Sequence, residues 1–323
     1  MTIPDYEYDV EQCDVPEARR GALSEYRVFR RKCLERLRGE SDTSIMNQVH
    51  ELTWYTAVFR TLNEARRLEP QRGVNSAMWE LITAGYANLM TLGIRRLVDQ
   101  DKKTDSVPNV IARVERRQEM LTREKFVCYD GLPYEYATVE KRHVESLDLS
   151  KGSHVGWLHN KGPQAWATSK RLHEVFDALC GHPAERKRAD EVPPEILTDL
   201  KSRLRHPTIE KVCTMADKRV AHAERVAEGS SAVPDATYND VDEALRIIVR
   251  VANFLSTSIF DDSTFGSVVA TPQFDVFDAL DQPWVTPENI PALARHWHDI
   301  SEAMNQWAYA TNEGFLPPTT ESQ

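Results

Sequence analysis

Apolar residues recur at three- and four-residue steps along most of the chain, and few stretches alternate with a period of two. The pattern predicts an all-α, bundle-like fold. A first helix starts near Val15-Pro16-Glu17, where a first turn tolerates Pro16, and runs to about Arg38. Ser41 to Ser44 offer caps for a second, on which Ile45, Val49, Leu52, Thr56, Phe59 and Leu62 share a face. Met78, Leu81, Ile82, Gly85, Leu89, Leu92, Gly93 and Leu97 predict a third helix with one broad core-facing stripe. A shorter helix covers Val107 to Met120.

The middle is less regular. Residues 126–139 are mixed, 146–163 are rich in glycine, and a helix follows from Gln164 to Leu179. The charged segment 184–194 reads as an exposed connection. Periodicity returns from about Thr208 to Ala227, then from Asn239 or Asp240 through Leu255, and last from Glu288 to Tyr309. The helices over 75–98, 208–227 and 239–258 are expected to pack into one bundle. The implied organisation is a helical domain over 14–260 with an irregular insertion at 122–200, a helical extension over 261–312, and a flexible tail from 313 to 323.

Composition narrows the function. The 323 residues carry a formal charge of −10, which argues against non-specific duplex binding while allowing a local basic cleft. The five cysteines are odd in number and far apart, so neither a disulfide framework nor a structural zinc site is expected. His143, His154 and His159 match no compact zinc spacing, and phosphate-cradling glycine motifs are absent, so no metal or cofactor is expected. The N-terminus lacks a signal peptide's basic and apolar regions, and no apolar run reaches membrane-spanning length. These features predict a cytoplasmic protein without a membrane partner.

The densest polar exception within a predicted helix is Asp217-Lys218-Arg219-Val220-Ala221-His222-Ala223-Glu224. On an α-helix, three- and four-residue steps bring Lys218, Arg219 and Arg225 beside His222. The His222 imidazole suits proton transfer near neutral pH, and Arg219 or Lys218 suits the charge developing on a phosphate under attack. An RNA 2′-hydroxyl already sits beside its phosphate, so such a site needs no metal. Lys211 and Arg225 are candidate RNA contacts. Arg96, Asp99, Asp217 and Glu224 are candidate structural polar groups, with Arg96 and Asp99 spaced for an ion pair. The competing interpretation pairs Arg219 with a buried carboxylate and gives His222 a hydrogen bond across a helix interface.

Three stretches, GIRRLVDQDKKTDSV at 93–107, ADKRVAHAE at 216–224 and YNDVDEALRIIVRVANFL at 238–255, resemble the abortive-infection, AbiU-like branch of the HEPN superfamily. The resemblance implies a helical bundle, a homodimer, and metal-independent RNA cleavage by an arginine and a histidine meeting their symmetry mates in a cleft. His222 matches the family histidine. The arginine's position would be Met215, Ala216 or Asp217, and none is arginine. Two functional readings remain. One is a ribonuclease or RNA-binding effector of a phage-defence or toxin-like system, held by a regulatory protein partner. The other is a non-catalytic interaction module on the same scaffold.

Overall fold

The computed structural model describes residue 3 and residues 5–70, 75–146, 158–221, 236–262, 268–278, 282 and 286–309, with backbone alone at 219–221 and 300–309. The chain forms two compact units, Met1–Ala270 and Thr271–Gln323. Regular structure among the described residues is helical, and β pairing is limited to one antiparallel bridge between Thr122 and Glu191. None of the described helices is long and apolar enough to cross a membrane.

The first unit contains α1 (Arg20–Arg38), α2 (Ile45–Leu68), α3 (Ser76–Leu97), α4 (Val107–Glu115), α5 (Arg123–Cys128), α6 (Tyr136–Ser146), α7 (Trp166–Leu179), α8 (Pro194–Arg203), α9 (Pro207–Met215) and α10 (Tyr238–Phe254). The second contains α11 (Ile290–Tyr309). Local chemistry explains several boundaries. Ser44 accepts from the Asn47 amide and Asn75 from the Met78 amide, capping α2 and α3. Thr237 and Asp240 form a reciprocal capping box that starts α10. Proline occupies the first turn of α4, α8 and α9, where the missing amide hydrogen costs nothing.

Helices α3, α9 and α10 pack on one another, as their periodicity predicts. Ile94, Val212, Ala244 and Ile248 are fully buried in this core. Gly93 permits close approach of α2, because a Cβ there would lie 2.4 Å from Leu52 Cδ2. Buried arginines tie the N-terminal segment and the turn that follows α10 to α1. Arg27 donates to the carbonyls of Tyr8 and Tyr129, and Arg30 donates to that of Phe260.

The expected orientation of α3 is corrected in part. Of the predicted stripe, Gly93 and Leu97 are buried and Ile82 packs against the core, but Leu81, Gly85, Leu89 and Leu92 are exposed, and Tyr86, Met90 and Ile94 complete the buried face. Apolar residues lie on nearly every side of this helix, so periodicity alone did not select the covered face. The predicted helix over 107–120 ends at Glu115, and a 3₁₀ turn takes up Gln118–Met120. Helices α5, α6 and α8 emerge from stretches without a clear pattern. The 184–194 segment is mostly exposed but anchored. Its Asp190 and Arg188 carbonyls accept from the amides of Arg123 and Glu124, and its Val192 is buried.

Candidate functional site

Helix α9 buries Ile209 and Val212 against its neighbours, and Ala216 continues that buried face. From Ala216 to Ala221 the helix widens into a π-helical segment. Such widened turns occur disproportionately at functional sites. They also change the adjacency expected of an α-helix. Residues five apart come closer to one face, while those three apart diverge.

The motif is tied to α3 through an arginine bridge. Arg95 Nε donates to Asp217 Oδ1 at 3.1 Å, and Arg95 Nη1 lies 3.3 Å from Asp99 Oδ1. Burial alone would lower the Arg95 pKa, but Asp217 and Asp99 together outweigh it and raise it. Asp99 thus pairs with Arg95 and not with Arg96, whose guanidinium instead lies 3.9 Å from Glu51.

Lys211 Nζ lies 2.7 Å from Asp240 Oδ2, which links α9 to the first turn of α10. The same carboxylate accepts from the Thr237 amide and hydroxyl. The hydrogen bond from Lys211, followed by those from Thr237, pulls the Asp240 pKa down to about 2. Lys218 is exposed beside Asp217. His222, Glu224 and Arg225 lie outside the described residues, as does the Arg219 side chain. At the positions where the resemblance would place an arginine, Ala216 faces the core and Asp217 carries the opposite charge against Arg95.

All five cysteines are free thiols. Burial raises Cys33 to about 12 and Cys213 to about 11, so neither has the thiolate character of a nucleophile.

A second polar centre went unrecognised in the sequence. The fully buried Arg123 donates through Nε to Asp190 Oδ2 at 2.9 Å and through Nη1 to Asp177 Oδ1 at 2.6 Å. Asp177 also receives Arg186, and Arg188 Nη1 reaches the buried Glu124 at 2.8 Å. His173 Nε2 lies 3.0 Å from the Tyr134 carbonyl, so it carries the proton and donates it. Burial first, then the nearby Arg186 and Arg123, lower the His173 pKa to about 4 despite that bond. The centre clamps α5 and α7 to the 186–190 segment. Its sequence trace is the charged run 186–191, of which Arg188 and Asp190 meet Glu124 and Arg123 at separations of 64 and 67 positions.

No curated protein and no solved structure matches the chain. The model of the AbiU2 family of HEPN domains matches residues 31–279, a span that contains α2 to α10, the π-helical segment and all three motif stretches. With most of its length matched, and an all-helical bundle at its core, the chain belongs to the AbiU2 family of HEPN domains.

Proposed function

We propose that this protein is an RNA-directed effector of an abortive-infection system, acting as a metal-independent endoribonuclease through residues 216–225. His222 transfers the proton between the 2′-hydroxyl and the leaving oxygen, and Arg219 and Lys218 neutralise the phosphate. Arg225 extends the positive face along the strand, and Lys211 contributes charge nearer the base of α9. The protein works as a homodimer, with its activity held by a regulatory protein partner.

The observation that carries this reading is where the fold departs from regularity. Within a family match of 31–279, α9 widens into a π-helical segment over Ala216–Ala221, immediately before the histidine. The purified protein should cut RNA in EDTA and leave 2′,3′-cyclic phosphate ends. His222→Ala should abolish cleavage while preserving helical content. Cleavage at the parent rate in His222→Ala would overturn the assignment.

A second reading also has structural support. Ala216 is buried and Asp217 is engaged by Arg95, so neither position supplies the arginine of the active family pattern. A non-catalytic interaction module fits these two positions. Its signature would be neither cleavage nor RNA binding by the folded protein with its cellular partner supplied.

A further inference from the structure

Helices α1 and α4 run antiparallel. Arg36 lies 3.0 Å from Asp105 just before α4, and Arg117 lies 3.3 Å from Glu25 just after it. Between these two bridges the helices leave an open groove of about 560 Å³. Its charge is the reverse of the chain's. Lys32, Arg113, Arg116 and Arg117 line it against one carboxylate, Glu25, whereas the whole chain carries −10. Its floor is apolar, with Phe29 buried and Val28 53% exposed.

Two of the four cations have structural duties. Arg116 donates to the Ala112 carbonyl at the end of α4, where the helix dipole favours positive charge. Arg117 is held between Glu25 and Glu119. The side chains of Lys32 and Arg113 take part in no hydrogen bond or ion pair among the described residues, although Arg113 is half-buried. A guanidinium partly withdrawn from water without a carboxylate carries a desolvation cost that a bound anion would offset.

We propose that this groove docks an acidic segment of a protein partner, with carboxylates on Lys32 and Arg113 and an apolar side chain on Val28. Arginine clusters recognise acidic motifs through charge-assisted hydrogen bonds. From Glu25 to Lys32 the wall of α1 measures about 10 Å, the length of about three extended residues. A nucleic-acid strand fits the groove less well. Its phosphates would meet Glu25, and no exposed aromatic ring lines the groove for a base to stack on. The inference gives a chemistry to the regulatory partner of the proposed function and rests on that part of the reading alone.

Fluorescence polarisation with the full chain is the test. The probe is a labelled peptide of alternating glutamate and leucine, beside the same peptide with glutamine for glutamate and a labelled oligouridylate. The parent should bind the acidic peptide saturably, and the glutamine peptide about tenfold more weakly or worse. Lys32→Gln combined with Arg113→Gln should weaken the acidic peptide by about tenfold or more at unchanged helical content. Lys32→Gln alone, at an exposed position, should already weaken it, and so should Val28→Ser. Lys141→Gln, which removes an exposed charge from α6, should change nothing. Absence of saturable binding by the parent, an equal loss in Lys141→Gln, or binding of oligouridylate in place of the peptide overturns the proposal. Unchanged binding in the double variant also overturns it, and a lowered Tm there would mark Lys32 and Arg113 as structural. His222→Ala should bind the peptide as the parent does, so docking and cleavage fail separately.

Discussion

The protein has two polar centres built on opposite physical terms. Around Arg123, charges are withdrawn from water. Arg123 is 0% exposed, and its guanidinium is shared between two carboxylates and a backbone carbonyl. Around Asp217, charges stay at the surface, with the Arg95 side chain 37% exposed and that of Asp217 51% exposed. The first centre is closed to a substrate and holds distant segments together. The second leaves exposed charge beside an irregular helix, which is what recognition of a charged ligand needs. Polar density alone therefore does not separate the two centres, whereas accessibility does.

The largest expected effect lies in the closed centre. Arg123→Ala strands Asp177 and Asp190 without their shared cation, and should destabilise the fold by about 3–5 kcal/mol in urea titration. A loss under about 1 kcal/mol would show that the cluster is loosely held. Next comes pH. The folded chain keeps His173 neutral down to about 4, whereas the ordinary value is 6.5. Protons therefore bind the unfolded chain first. Stability is fully present above pH 6.5 and falls as the pH drops towards 4, by up to about 3 kcal/mol. Denaturation midpoints measured between pH 7 and pH 4 should show that decline, and His173→Gln should flatten it. The smallest effect belongs to the open centre. Arg95→Ala should cost less than about 1 kcal/mol, as expected for a solvated ion pair. A loss as large as that of Arg123→Ala would erase the distinction between the centres.

Legibility in the sequence followed the range of the interactions. Helix α10 was plain because its apolar period is local, although its cap is Thr237 and not the expected Asn239 or Asp240, the latter standing at the third helical position of the capping box. Helix α3 was found, but its covered face was misassigned in part, because which apolar side is buried depends on α2, α9 and α10. The region 122–200 resisted reading. Helix α5 is too short to establish a period, and Arg123 meets partners 54 and 67 positions away. The motif at 216–224 stood out as a string, but its grip on Arg95, 122 positions upstream, left no local trace. Nor did the π-helical winding, since Asp217-Lys218-Arg219-Val220-Ala221 reads as ordinary α-helix.

That winding has a consequence for how the chain tolerates change in length. A π-helical turn accommodates about one more residue than an α-helical turn over the same rise. Removing a single residue between Ala216 and Ala221 would let α9 continue in α-helical register. The chain beyond Ala221 would then keep nearly its direction, whereas the same deletion in a regular α-helix would turn it by roughly 100°. A one-residue deletion, which elsewhere in α9 would re-aim everything that follows, would here be absorbed by the winding while leaving Ile209 and Val212 in place. Homologues differing by one residue at this point would share the bundle and still present the rest of the motif in the same direction.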